Sequence, residues 1–159
     1  MTPSPGDPLA TSALGGTLVR QAAGLADLVG ELEGAARGSD ADATHHERAL
    51  LLRVATELDA VGLLLQAWTT TAAEAAARVR ALDGELGRHD LVVDGHLVVE
   101  RPGPSGADPR ARLHERERLQ ERLNRVTAVR SRELAHLRRE LESSTVRLAT
   151  LSARARTGA

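Results

Sequence analysis

Residues 108–154 read DPRARLHERERLQERLNRVTAVRSRELAHLRRELESSTVRLATLSAR, and this stretch decides the fold class. Leu123, Val126, Leu134, Leu137 and Leu148 recur at spacings of 3, 8, 3 and 11. An eleven-residue pattern keeps an apolar stripe almost straight along an α-helix, and Leu119, Leu141 and Leu151 broaden it. Glu121 with Arg125 and Arg138 with Glu142 sit at helical pair spacing on the other faces. The start is explicit, because Asp108 can cap free amides and Pro109 occupies the first helical position, where a missing N–H costs nothing. Forty-odd residues at 1.5 Å each reach roughly 65–70 Å, so a kink or an overhang is expected.

Upstream the period changes. Leu91-Val92-Val93 and Leu97-Val98-Val99 flank Asp94-Gly95, the strongest short hairpin signal available from one sequence. A two-stranded hairpin is marginal in water, so its apolar face should lie on the helices. Residues 101–108, RPGPSGAD, form a stiff linker to the last helix.

Residues 2–8 form a Pro/Gly-rich arm. A first helix is expected over 9–37 from Leu14, Leu18, Ala22, Leu25, Leu28 or Val29, and Leu32. Its interior Gly24 and Gly30 each cost about 1 kcal/mol relative to Ala, so it depends on packing. Residues 38–44 are read as a loop and 45–68 as a second helix striped by Leu51, Ala55, Leu58, Val61 or Gly62, Leu65 and Trp68. At Thr69-Thr70-Thr71 two readings stay open. Thr71 and Glu74 have capping-box spacing for a new helix, or the second helix continues through the Ala-rich run.

The fold class is therefore all-α: an elongated helical hairpin or bundle with a small β-hairpin and a long C-terminal helix. Three segments are expected: a helical hairpin over 1–88, the β-hairpin and linker over 89–108, and a basic helix over 109–159 packed on the first part.

Composition narrows function. The 159 residues include 27 Ala and 25 Leu, one aromatic residue, Trp68, and no Cys or Lys. No cysteine means no disulfide framework, thiolate zinc site or cysteine nucleophile, and no lysine means no Walker P-loop or Schiff base. The near-neutral total hides −8 over residues 1–108 and +7 over 109–159. Either the basic part folds back on the acidic part, or each addresses a partner of opposite sign. The start, MTPSPGDP, has neither a basic n-region nor an apolar run, and no stretch approaches 18 apolar residues. A cytoplasmic location, or export without a cleaved signal peptide, is the expectation, with no membrane span.

Candidate chemistry is sparse. His45, His46 and Glu47 lack the i, i+4 partners of a helical metal site and read as a polar helix start. His89, Asp90 and His96 have no nucleophile elbow or phosphate loop beside them, so no catalytic residues, metal or cofactors are expected. Residues 110–139 hold ten Arg against four acids. That stripe could follow a phosphate backbone, but no aromatic side chain is there to stack on bases, and a solvated or partner-facing face is the preferred reading.

The run from Ala67 through Trp68 and the three threonines to Ala75 resembles the helix-turn-helix of WXG-like proteins of type VII secretion systems, where Trp sits at a turn before an Ala-rich helix. The Gly6-Asp7-Pro8-Leu9-Ala10 start, the Val93–Val98 hairpin, the Pro/Gly linker and the Asp-Pro-initiated helix look like secretion-associated N-terminal domains of actinobacterial polymorphic toxins. Thr70 stands where WXG proteins carry Gly, and no Tyr is present for their usual export signal. His136 and Glu140 offer a His-x-x-x-Glu variant of that signal. The resemblance implies a noncatalytic, stand-alone partner, chaperone or secreted substrate, with no effector domain after Ala159. Trp68 would set the bundle register. The expected contact surface is Leu119, Leu123, Val126, Leu134, Leu137 and Leu141, facing the chain's own first helices or another helical chain. Two alternatives are a coiled coil binding nucleic acid through the Arg-rich helix, and a homodimeric scaffold.

Overall fold

The computed structural model of the chain describes residues 8–35, 41–104, 106 and 108–157. It is all-α, 87% helical, with three helices and one small antiparallel sheet among the described residues. The order is α1 (Pro8–Ala35), α2 (Ala41–Arg88), β1 (Leu91–Asp94), β2 (Leu97–Glu100) and α3 (Pro109–Thr157). No described helix is long and apolar enough to cross a membrane.

Several boundaries differ from expectation. Residues 2–7 of the arm, 36–37 of the first helix and 38–40 of the loop lie outside the described residues. The remainder of that loop, from Ala41, is already helical. At Thr69-Thr70-Thr71 the open question resolves to continuation: α2 is one helix of 48 residues, so Trp68 is inside a helix and not at a turn. The Thr69 hydroxyl donates to the Leu65 carbonyl at 2.9 Å, which lets a polar, β-branched residue sit in a helix with its hydroxyl satisfied. Trp68 is half-buried, less enclosed than a core anchor would be.

By contacts the chain divides into two compact units, Met1–Thr69 with Ala135–Ala159, and Thr70–Leu134. Both long helices contribute to both units, so this division does not coincide with the segments 1–88, 89–108 and 109–159 read from composition.

The first unit is organised around a glycine contact. A Cβ placed on Gly62 of α2 would lie 2.8 Å from the Gly15 carbonyl oxygen and 2.7 Å from Val19 Cγ2, and one on Gly15 would lie 2.9 Å from the Gly62 carbonyl oxygen. Only glycine allows the backbones of α1 and α2 this close. Glu33 of α1 pairs with Arg48 of α2, so the two helices run antiparallel. Gly15, Ala22 and Val29, seven residues apart, are the buried positions of α1, while Leu14 and Leu28 remain exposed.

The second unit buries Leu82 and Leu86 of α2, Leu91 and Val98 of the hairpin, and Leu119 and Leu123 of α3, with Val79 and Val93 packed against them. The hairpin's apolar face lies on the helices as expected. Its register pairs Leu91 with Glu100 and Asp94 with Leu97, so the two-residue connection is Gly95-His96, one residue later than the Asp94-Gly95 pair suggested. Gly95 has φ +62° in the first central position, where a type II′ connection wants glycine. Asp90 leaves α2 at φ 55°, and its carbonyl accepts from the Arg101 N–H at 2.7 Å, closing the open end of the hairpin. At the start of α3, Asp108 Oδ2 accepts from the Ala111 N–H at 3.1 Å with Pro109 at the first helical position, the cap expected from sequence.

Candidate functional site

The first unit carries an open groove of about 480 Å³ between Leu52, Arg53, Thr56 and Glu57 of α2 and Val146, Arg147, Thr150, Leu151 and Arg154 of α3. Its floor is apolar. Leu52 is 40% exposed and Val146 67%, and with Leu151 they line one groove instead of being scattered singly, which is what marks an apolar contact surface. The groove's two threonines add methyl groups and not free donors, since Thr56 donates to the Leu52 carbonyl at 2.8 Å and Thr150 to the Val146 carbonyl at 2.9 Å.

Polar groups at the groove divide into one fixed pair and two further arginines. Arg147 grips Glu57 with two parallel bonds, Nε to Oε2 at 2.9 Å and Nη2 to Oε1 at 2.7 Å, and its Nη1 donates to Ser143 Oγ at 2.6 Å. The Glu57 side chain is only 14% exposed. The Arg147 guanidinium holds its carboxyl below the usual carboxylate range against burial, which pushes the other way. The Ser144 hydroxyl, buried close by, adds to that stabilisation of the carboxylate without reaching good hydrogen-bond geometry. Arg53 and Arg154 make no ion pair among the described residues.

A second cleft of the same unit, about 380 Å³, brings His136 and Glu140 together with Ala60, Val61, Leu64 and Ser144. His136 Nδ1 lies 4.0 Å from Glu140 Oε1, and both side chains are about half exposed.

In the second unit Glu85 collects two arginines of α3, Arg122 at 2.5 Å and Arg118 at 3.1 Å. Arg122 and then Arg118 hold the Glu85 carboxyl below its ordinary range. Arg118 also binds Glu115 at 2.8 Å and depresses it likewise. With Arg112 beside Glu100 at 3.9 Å and Arg147 on Glu57, the basic helix meets acidic groups of the preceding elements, while Arg125 on Glu121 at 2.5 Å is a pair within α3. Arg138 and Glu142 form no ion pair among the described residues. Gln120 covers the outer edge of β2: its Oε1 accepts from the Val98 N–H at 2.7 Å, and its Nε2 donates to the His96 carbonyl at 2.9 Å and to Asn124 Oδ1 at 2.9 Å.

The six residues expected to meet a partner separate. Leu119, Leu123 and Leu137 are buried, so no second chain reaches them while the fold is intact. They serve the internal half of the sequence expectation. Val126 is half-buried and lines a cleft with Thr71, Ala75 and Val129, and Leu134 and Leu141 are half-buried. Asp94 and Gly95 are exposed at the hairpin tip, and Asp108 and Pro109 open α3. His45, His46 and Glu47 are exposed, and no cluster of three potential metal ligands occurs among the described residues.

Sequence reasoning missed Leu52, Val146, Glu57, Arg147, Gln120 and the Gly15–Gly62 contact. Only the last had a local signal, because Gly62 stood in the apolar stripe of the second helix. The Glu57–Arg147 pair joins residues 90 apart, a separation that spacing rules cannot see. No protein-family model, curated protein or solved structure matches this chain.

Proposed function

We propose that this chain is a noncatalytic helical protein–protein interaction module whose partner-facing surface is the groove between α2 and α3 of the first unit. The observation that carries this reading is the exposure of Leu52 and Val146 across a groove whose threonine hydroxyls are internally satisfied. Such a surface gains from excluding water by contact with another apolar face, at roughly 25 cal/mol per Å² covered. An amphipathic helix seated between two helices is the simplest occupant. The narrower proposal, a type VII secretion-associated partner, chaperone or secreted substrate, draws its support from the sequence layout alone. The continuous helix through Trp68 departs from the WXG turn on that point.

The test is capture of the tagged protein from its host at physiological salt after nuclease treatment. Leu52→Asp with Val146→Asp is expected to abolish retention of a stoichiometric helical protein, while Arg130→Ala leaves it unchanged. Retention that survives the double substitution would reject the groove. Retention lost on nuclease treatment, with steep salt dependence, would transfer the assignment to nucleic acid and the Arg-rich helix.

A further inference from the structure

We infer that the groove is occupied by α1 of a second copy of this chain, with Leu28 entering beside Leu52 and Val146 while Asp27 and Glu31 meet Arg53 and Arg154. This rests on the interaction-module reading and names its partner.

The groove states what its occupant must carry. Its floor takes an aliphatic anchor, and Arg53 and Arg154 have no ion-pair partner among the described residues, so carboxylates beside that anchor on a helix would complement it. The outward side of α1 has this combination. Leu28 is 50% exposed. Asp27 and Glu31 flank it, exposed and without an ion-pair partner among the described residues, whereas the neighbouring Glu33 is already held by Arg48. Gly24, four residues before Leu28 on the same face, has nothing within 4 Å of where a Cβ would be. A glycine inside a helix costs about 1 kcal/mol relative to alanine. Gly15 repays that through its contact with Gly62; Gly24 has no such contact among the described residues and leaves room for the backbone of another helix. Carboxylate meets guanidinium bidentately, which fixes the register of α1 in the groove as well as its affinity.

Both surfaces belong to the first unit, so one protein supplies the experiment. Sedimentation equilibrium between ~1 and ~100 µM should give a mass above the 16.9 kDa monomer that rises with concentration. D27R/E31R and R53E/R154E should each weaken self-association about tenfold or more, and mixing the two should restore it, because each supplies the complement of the other. All four side chains are exposed, and unchanged helical content by circular dichroism will show that the fold is retained. Val146→Arg blocks the groove without altering α1 and should also give a monomer. A mixture no better associated than its components, or variants with wild-type mass, would overturn the inference. So would a monomeric wild type. If that monomer still captures a foreign helical protein through Leu52 and Val146, the interaction-module reading stands and only the second copy is rejected; if it captures nothing, both are rejected.

Discussion

Substituting alanine for Gly62 tests whether the first unit is built on a backbone contact. Alanine in place of an interior helical glycine ordinarily stabilises by about 0.5–1 kcal/mol, because the unfolded chain loses freedom and the helix gains propensity. At Gly62 the new methyl would lie 2.8 Å from a carbonyl oxygen and 2.7 Å from Val19 Cγ2, and α1 and α2 would have to separate. Overpacking of this kind costs about 1–3 kcal/mol, so the net effect is destabilisation of up to about 2 kcal/mol. Gly30 of α1 and Gly84 of α2 have nothing within 4 Å of a Cβ and are the controls. For a chain of this size 1 kcal/mol corresponds to roughly 2–4 °C in Tm, so Gly62→Ala should melt several degrees below Gly30→Ala and Gly84→Ala. Urea titrations give the same comparison at constant temperature. A Gly62→Ala protein that melts with or above the controls would refute the close contact.

Leu119, fully buried in the second unit, should lose about 2–5 kcal/mol as Leu119→Ala, readable by chemical denaturation. Glu57→Gln should flatten the acid limb of the stability profile. Arg147 lowers the folded-state pKa of Glu57, so its contribution is complete above the ordinary value of 4.5 and is lost as pH falls through the depressed folded value. The melting difference between wild type and variant should therefore close toward acid, and a gap independent of pH would contradict the pairing. Gln120→Ala should expose the Val98 amide, raising its hydrogen-exchange rate more than that of any ladder amide of the hairpin; unchanged protection would show that Gln120 does not close that edge.

Periodic and capping signals were legible. The last helix and its Asp108-Pro109 start follow from local chemistry, and so does a hairpin over 91–99, because each is written within a few residues. The turn slipped by one residue because Asp94-Gly95 and Gly95-His96 are both acceptable connections, and the packing of Leu91 and Val98 chooses between them. The uninterrupted α2 was one of two open readings. Threonines weaken a helix without forbidding it, and back-bonding at Thr69, which satisfies its hydroxyl within the helix, is not visible in spacing. The leucines of α3 were found, but periodicity identifies an apolar face without saying what covers it, and the chain itself covers Leu119, Leu123 and Leu137. The groove was invisible for the opposite reason. Leu52 and Val146 look like ordinary members of amphipathic helices, and their exposure is a property of how α2 and α3 meet.

The division into a contiguous unit, Thr70–Leu134, and a discontinuous one, Met1–Thr69 with Ala135–Ala159, orders events on the ribosome. Synthesis at roughly 5–20 residues per second delivers every contact of the contiguous unit before the first residue of the other's closing segment emerges. The Arg147 partner of Glu57 arrives last, 90 positions after it. During that interval α1 and the first half of α2 are present without their third helix, with the Gly15–Gly62 approach and the Glu33–Arg48 pair as contacts available to them. The usual N-terminus-first sequence is thereby inverted: the middle of this chain can close while its beginning waits.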